Sequence, residues 1–250
     1  MKLVINNDKY ELGKQVALIT AKKLNEAIAN KGNARILLST GASQFTFFAE
    51  IVKQNVDWSK VEMFHLDEYV GISEEHPASF KRYLLDRFAN IVPLKNAYLI
   101  DGQKDPQETI KTLTELLNQA PIDVGLIGIG ENAHIAFNDP PADFEDTNAY
   151  KVVTLAERCL QQQIGEGWFK NVEETYKQAI SMTCSQIMKC ETIICAVPYK
   201  VKAEAIFNTL TNEVTNNVPA TLLKRHKDCT IYCDNDSASL LTDDIIAKYK

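Results

Sequence analysis

Several features that would mark a membrane, secreted or metal-binding protein are missing from this 250-residue sequence. No run approaches the roughly 18 consecutive apolar residues of a membrane-spanning helix. The opening residues, MKLVINND, become polar too early for a secretory signal. The cysteines have no CxxC spacing and lie mostly in apolar segments, so we expect reduced structural thiols and a cytoplasmic protein; they are Cys159, Cys184, Cys190, Cys195, Cys229 and Cys233.

An excess of basic charge is also missing. The chain has 27 Lys and Arg residues against 33 Asp and Glu residues, which gives a net charge of −6. A surface that binds nucleic acid or an anionic membrane needs surplus cations to meet the phosphates, so we expect neither partner. A small phosphorylated ligand remains compatible with this composition, because it needs only a local cation or a helix N-terminus.

Short apolar runs alternate with segments of helical periodicity along the chain, and no internal repeat or low-complexity linker divides it. The runs are too short for helices and predict buried parallel strands, at residues 34–38, 61–66, 124–129 and 191–197. Strands that alternate with helices predict an α/β fold, a doubly wound and mostly parallel sheet with helices on both faces, Rossmann-like. We expect one domain over residues 1–250. The long polar segment 142–170 predicts either a lid or a plain connection.

The loop from Ser39 to Ser43 joins a predicted strand to a predicted helix. Small residues in such a loop expose backbone N–H groups at the positive end of a helix dipole, where the hydroxyls of Thr40 and Ser43 add further donors. The loop could bind an anion, or it could be an ordinary turn with a serine cap. It matches neither a Walker A motif nor a dinucleotide-binding fingerprint.

Two adjacent acids, Asp67 and Glu68, follow the predicted strand at 61–66. Burying carboxyl groups is costly, which favours a catalytic carboxylate, although a helix cap or a salt bridge is the commoner role of such pairs. By alternation, His65 points to the opposite face and is expected to be a core or surface residue.

A glycine turn at Gly128 and Gly130 ends the apolar run at 124–129, and it is followed by His134 and Asp139. Open α/β sheets place their chemistry at such turns beyond the carboxyl ends of strands. Further along, Lys202 lies in the first turn of a predicted helix, where a cation opposes the helix dipole unless an anion is nearby. Lys202 is therefore a candidate phosphate ligand, with a solvated surface lysine as the alternative.

Three segments in this order, Ser39–Ser43, Leu66–Gly71 and Gly130–Pro140, closely resemble the glucosamine-6-phosphate deaminase (isomerase) family. The order of elements is similar from about residue 10 to residue 240. The related 6-phosphogluconolactonases usually carry Asp-Glu-Arg where this chain has Tyr69 after the two acids, so the resemblance favours the deaminases.

The resemblance implies that an amino-sugar 6-phosphate is converted to a ketose 6-phosphate and ammonia, without a metal or an organic cofactor. It implies that His134 opens the sugar ring, that Asp67 transfers a proton from C2 to C1, and that Asp139 orients the imidazole. The positions implied to bind the substrate phosphate are Thr40, Gly41, Ala42, Ser43 and Lys202. The resemblance leaves a homo-oligomer possible, and the longer tail of the allosteric hexameric members is absent, so we expect no such regulation.

The chain departs from the family pattern at four places. Asn132 replaces an Asp that is the second partner of the histidine in the enterobacterial members, Ala133 replaces a Gly, and Asp139 replaces a Glu, which shortens its reach. A phosphate-binding Arg expected near Gly165 is missing, with Arg158 and the glutamines 161–163 as the nearby substitutes. These changes leave open another amino sugar, as in a galactosamine-6-phosphate isomerase, a lactonase, or a sugar-phosphate sensor without activity.

Overall fold

Ten β-strands form two sheets in the computed structural model, which describes residues 1–165 and 167–249 apart from the side chains of Arg158, Cys159 and Gln162. The strands are β1 Lys2–Asn6, β2 Ala34–Leu38, β3 Val61–His65, β4 Asp67–Tyr69, β5 Asn96–Tyr98, β6 Val124–Ile127, β7 Tyr150–Thr154, β8 Gln178–Met182, β9 Thr192–Val197 and β10 Cys229–Asp234. The helices are α1 Lys9–Lys31, α2 Phe45–Ile51, α3 Phe80–Leu84, α4 Pro106–Leu117, α5 Glu157–Gly165, α6 Cys184–Ile187, α7 Ala203–Thr211 and α8 Asp243–Ala247.

The larger sheet has seven strands in the order β1-β10-β9-β6-β2-β3-β5. Every neighbouring pair in it is parallel. From β2 the chain proceeds outward to β3 and β5, and it then returns to the other side of β2 with β6 and β9. The strand order therefore reverses between β2 and β6, and a crevice opens outside the carboxyl ends of strands at such a point.

Helices cover both faces of this sheet, which confirms the doubly wound α/β fold. Leu37 and Phe64 point to one face and pack with the side chains of α4 and α7. Ile36 and Met63, each one residue earlier in its strand, point to the other face and pack with α1 and α2. The alternation follows from the pleat of the strands, and burial on both faces explains why their sequences are continuous apolar runs.

A second, antiparallel sheet of three strands, β4-β8-β7, was not predicted from the sequence. Residues after 66 were expected to turn, but Asp67–Tyr69 continue as a strand that pairs with β8. Leu66 joins the two sheets, because its N–H donates to Leu38 O at 3.2 Å and its carbonyl accepts from Met182 N at 2.8 Å. Both acids of the Asp-Glu pair are consequently placed in a strand.

The segment 142–170 is more regular than its sequence indicated. It contains β7 and then α5, which ends at Gly165. The apolar side chains of Leu160 and Phe169 pack with Tyr69, Phe80 and Phe137 in a small cluster beside the second sheet. The role of this segment as a lid stays a prediction.

The cysteines and the helices agree with the expectations from composition as far as the structure describes them. The five cysteines with described side chains are buried and carry free thiols, and Cys159 lies outside the described side chains. In residues 1–165 and 167–249, no helix has the length and apolar content needed to cross a membrane.

Candidate active site

A cleft of about 590 Å³ lies at the point where the strand order of the large sheet reverses. Its wall comes from the segments that follow β2, β3, β6 and β9, and from α3 and α5. The lining residues are Ser39, Thr40, Gly41, Ser43, Leu66, Asp67, Phe80, Gly128, Ile129, Gly130, His134, Ala136, Phe137, Gln163 and Lys202. Segments that are far apart in the sequence thus meet because parallel strands end at the same edge.

The Ser39–Ser43 loop is joined to β6 through the Ser39 N–H, which donates to Leu126 O at 2.9 Å. Within the described chain, none of the N–H groups from Thr40 to Ser43 donates a hydrogen bond. Gly41 has φ 99°, a conformation that favours glycine. Two tyrosine hydroxyls hold the carbonyls of the loop: Tyr83 donates to Gly41 O at 2.9 Å, and Tyr199 donates to Ala42 O at 3.3 Å. The loop is therefore arranged to bind an anion.

Lys202 reaches the same cleft from the turn after β9. Its side chain is buried, and its backbone N–H donates to Tyr199 O at 3.0 Å. Tyr199 has φ 82°, which is strained for a residue with a side chain. The Tyr199 N–H donates to both carboxylate oxygens of Asp234, at 3.2 and 3.1 Å, and this contact stabilises the turn. The expected helix at 198–207 begins later, with a 3₁₀ turn at Lys200–Lys202 before α7.

Asp67 and Glu68 point to opposite sides of β4 and have different surroundings. The Glu68 carboxyl accepts hydrogen bonds from Ser79 Oγ at 2.8 Å, from Lys81 N at 2.8 Å and from Phe80 N at 3.2 Å, so it caps the start of α3. The Asp67 carboxyl lines the cleft instead. The helix-cap interpretation of the acidic pair is thus correct for Glu68, and Asp67 is the acid that a ligand can reach.

Burial, and to a smaller extent the charge of Glu68, raise the pKa of Asp67 to about 8. Burial also raises the pKa of Glu68, to about 7, although the hydrogen bonds from Lys81, Ser79 and Phe80 lower it. Because Asp67 and Glu68 are adjacent, the titrations of the two carboxyls are coupled. Because the bonds to Glu68 favour its carboxylate, the proton of the pair resides on Asp67 at neutral pH when the cleft holds no ligand.

His134, Asn132 and Asp139 form one hydrogen-bonded group. His134 Nδ1 lies 3.0 Å from Asp139 Oδ1, so the aspartate reaches the imidazole despite its shorter side chain. Asn132 Nδ2 donates to the same oxygen at 2.8 Å, and Asn132 Oδ1 accepts from the backbone N–H of His134 at 3.2 Å. Asn132 thus contacts the carboxylate that orients the imidazole and the backbone of His134.

The carboxyl of Asp139 is held in its ionised form. Burial opposes ionisation, but the hydrogen bonds from His134 and Asn132 outweigh it and keep the pKa of Asp139 below its usual value. An ionised carboxylate at Nδ1 fixes the orientation of the ring and leaves Nε2 for other contacts.

The turn beneath the imidazole explains the glycine at position 130. A Cβ on Gly130 would overlap Nε2, Cε1 and Cδ2 of His134. Ala133, at the position where the resembling family has glycine, has φ 64°. The replacement of glycine by alanine is therefore costly here, because a left-handed alanine is strained. Beyond the histidine, Phe137 N–H donates to Ser181 Oγ at 3.0 Å, which ties the segment to β8.

The described residues offer no group of three or more His, Cys, Asp or Glu side chains that could hold a metal ion. The polar side chains of the cleft instead match an anionic ligand with hydroxyl groups, through the loop at 39–43, Lys202 and the two acid/base candidates Asp67 and His134.

Residues 7–232 match the family model described as glucosamine-6-phosphate isomerases/6-phosphogluconolactonase. The chain belongs to this family. Several named relatives are similar to it over nearly their whole length. The glucosamine-6-phosphate deaminase of Lactobacillus delbrueckii subsp. bulgaricus is 34% identical, with 96% of this chain and 100% of that enzyme covered. The deaminase of Thermoanaerobacter pseudethanolicus is also 34% identical, with 98% and 96% covered.

Solved structures of the glucosamine-6-phosphate isomerase/6-phosphogluconolactonase family share the fold. A monomeric glucosamine-6-phosphate deaminase superimposes with a TM-score of 0.89 at 28% identity, covering 96% of this chain and 100% of that one. The 6-phosphogluconolactonase from Trypanosoma brucei superimposes with a TM-score of 0.78 at 12% identity, covering 96% and 98%. At that identity the second similarity shows the fold alone.

The structure brings most of the residues implied by the family resemblance into one cleft. Asp67, His134 and Lys202 line it together with Thr40, Gly41 and Ser43. Ala42 is in the loop without lining the cleft, and Asn132 and Asp139 lie behind His134.

Sequence reasoning missed Tyr199 and left the roles of Glu68 and Gln163 open. The capping role of Glu68 depends on an unpredicted strand. The strained Tyr199 had no sequence signal at all. Gln163, one of the proposed substitutes for the missing arginine, lines the cleft from α5. The side chains of Arg158 and Gln162, the other nearby substitutes on this helix, lie outside the described residues.

Proposed function

We propose that this chain is a glucosamine-6-phosphate deaminase, which converts glucosamine 6-phosphate and water to fructose 6-phosphate and ammonia. The observation that carries the proposal is the meeting, in one cleft, of an anion-binding loop with a buried acid and a carboxylate-oriented histidine. The names of the relatives at 34% identity support the same activity.

We assign the phosphate to the Ser39–Ser43 loop and to Lys202. The free N–H groups of the loop and the hydroxyls of Thr40 and Ser43 are donors, and a lysine adds charge. Such contacts bind substrate and transition state alike and fix the sugar so that its reacting end lies between Asp67 and His134.

Ring opening is the first chemical step, and we assign it to His134. The C1 hydroxyl must lose a proton while the ring oxygen gains one, so that the C1–O5 bond breaks and an aldehyde forms. An imidazole can serve as both acid and base in this exchange. Asp139 holds the ring in place through Nδ1 and stabilises the cation when His134 carries the extra proton.

Proton transfer from C2 to C1 is the second step, and we assign it to Asp67. The carboxylate removes the proton from C2, and the electron pair forms the C1–C2 double bond while the C1=O π bond opens and O1 takes up the proton that the ammonium group releases, which gives an enolamine. Return of the C2 proton from Asp67 to C1 leaves an iminium ion at C2, to which water adds before ammonia departs. Asp67 must be ionised to begin, and the ammonium group of the bound amino sugar favours the ionised form.

The decisive experiment is a direct assay of the purified protein. Glucosamine 6-phosphate, galactosamine 6-phosphate and 6-phosphogluconolactone are supplied separately, and the release of ammonia or acid is followed. We expect ammonia from glucosamine 6-phosphate, with Asp67→Asn and His134→Gln as inactive controls. If neither amino sugar yields ammonia, the proposed function is wrong, and acid release from the lactone would assign the chain to the other activity named for the family.

The cytoplasmic location, the lid and a homo-oligomeric state stay predictions. The oligomeric state has a simple test, since a monomer of this chain has a mass of 28.1 kDa. Light scattering of the purified protein at micromolar concentration gives the mass in solution, and a multiple of this value would establish an oligomer.

A further inference from the structure

Gln163 is the polar side chain that α5 contributes to the wall of the cleft. Its residue is 7% exposed, which is unusual for a glutamine. The packing of its helix accounts for this position, because Leu160 and Ile164 on either side are held in the apolar cluster around Tyr69. The backbone carbonyl of Gln163 accepts from Trp168 N at 3.1 Å, which stabilises the end of the helix.

The amide oxygen of this side chain is buried without a hydrogen-bond partner among the described residues. Leaving a buried acceptor unmatched costs about 1–3 kcal/mol. Packing could have filled the same position with an apolar residue at no such cost. An unmatched buried acceptor needs an explanation, and in the wall of a ligand cleft a donor that arrives with the ligand would supply the missing partner.

The chemistry of an acceptor limits which part of a sugar phosphate it can bind. A phosphate dianion has no proton to donate, and its oxygens would repel the amide oxygen. The hydroxyl groups of the sugar chain are donors. The ammonium group is a donor as well, but the acid that faces it in the proposed mechanism is Asp67.

We infer that Gln163 Oε1 accepts a hydrogen bond from a hydroxyl group of the bound sugar chain. Gln163 is then a substrate-binding residue that contacts the sugar and not its phosphate. The inference rests on the proposed function for the identity of the sugar phosphate. A contact of this kind depends on the configuration of one carbon, which makes Gln163 a determinant of specificity among hexosamine 6-phosphates.

A binding experiment can test this role separately from the activity. The probes are sorbitol 6-phosphate, which is open-chain, unreactive and without an ammonium group, and inorganic phosphate. Gln163→Leu keeps the size of the side chain and removes its polar atoms. We expect its affinity for sorbitol 6-phosphate to fall about 10- to 100-fold and its affinity for inorganic phosphate to change less than twofold. Gln107→Leu, at an exposed position of α4 outside the cleft, is the matched control and should bind both probes like the wild type.

The melting temperature of the ligand-free variant separates a binding role from a structural one. Removing an unmatched buried amide should leave the melting temperature unchanged or raise it. Removing a glutamine that stabilises the fold would lower the melting temperature. Unchanged affinity of Gln163→Leu for sorbitol 6-phosphate would overturn the inference. An equal loss of affinity for inorganic phosphate would do so too, as would the failure of the wild type to bind sorbitol 6-phosphate. If only the proposed function is wrong, the wild type will still bind sorbitol 6-phosphate, and Gln163→Leu will still weaken that binding, but no ammonia will be released from glucosamine 6-phosphate.

Discussion

Replacing Asp67 by asparagine should make the protein more stable and inactive. Asparagine has the shape of a protonated aspartic acid but cannot ionise. As the proposed base of the C2-to-C1 proton transfer, Asp67 should contribute at least about 10²-fold to kcat, so Asp67→Asn should release almost no ammonia. Binding of sorbitol 6-phosphate should be retained, because the phosphate loop and Lys202 are unchanged.

The gain in stability follows from the raised pKa of Asp67, about 8 in the native protein against an ordinary value of 3.8. Between these values the native state holds a proton that the unfolded chain has released, so native stability declines as pH rises from about 4 to about 8. Over the roughly three pH units up to pH 7, at ~1.36 kcal/mol per unit, the decline is on the order of 4 kcal/mol. Asp67→Asn lacks this decline.

Urea unfolding of both proteins at pH 5, 6, 7 and 8 measures the difference in the free energy of unfolding. We expect the advantage of Asp67→Asn to grow steadily with pH. Asp101→Asn is the control for the direction of the pH dependence. Burial alone would raise the pKa of Asp101, but hydrogen bonds from Gln103 and Lys81 lower it. The free energy of unfolding of Asp101→Asn should therefore gain nothing over the wild type at high pH. An advantage of Asp67→Asn that does not change with pH, or a loss of stability at pH 8, would refute the reasoning.

Three further substitutions test other parts of the site. Gly130→Ala should reduce ammonia release at least about 10²-fold with a native circular dichroism spectrum, because the new methyl group overlaps His134; full activity would contradict that contact. Lys202→Gln should raise KM for glucosamine 6-phosphate about 10-fold or more, whereas the exposed neighbour Lys200→Gln should not. Ala133→Gly should raise the free energy of unfolding, measured by urea unfolding, by about 0.5–1 kcal/mol, because it removes the strain of an alanine in the left-handed conformation. No gain in this free energy would show that the alanine is unstrained.

The large sheet was predictable because burial on both faces leaves a local signal. Strands β2, β3, β6 and β9 are continuous apolar runs, and the helices between them have helical periodicity. The small sheet left no such signal. Strand β4 has three residues, two of them acids, and its pairing with β8 joins positions more than a hundred residues apart in the chain. Such pairing is decided by tertiary contacts and not by local propensity.

The candidate site also has some features with a local sequence signal and others that depend on tertiary contacts. The glycine turn before His134 and the small-residue loop after β2 are local patterns, and the family resemblance supplied roles for their residues. What the sequence could not supply was the partner of each group. Asn132 replaces a partner of the histidine in other members, and here its amide donates to Asp139. Glu68 caps α3 across a loop of ten residues, and Gln163 faces the cleft only because α5 packs as it does.

The attachment of the small sheet has a mechanical consequence. Asp67 pairs with Ser181 in β8, and the segment that carries His134 is bonded to the same strand through Phe137 N and through Asn138 Nδ2, which donates to Met182 O at 2.8 Å. The acid and the imidazole therefore share one support, whereas the Ser39–Ser43 loop belongs to the large sheet. The mutual spacing of the two proposed proton-transfer groups is therefore set within the small sheet, and their distance to the phosphate loop is set by the way the two sheets join at Leu66. The length of the substrate must match that distance.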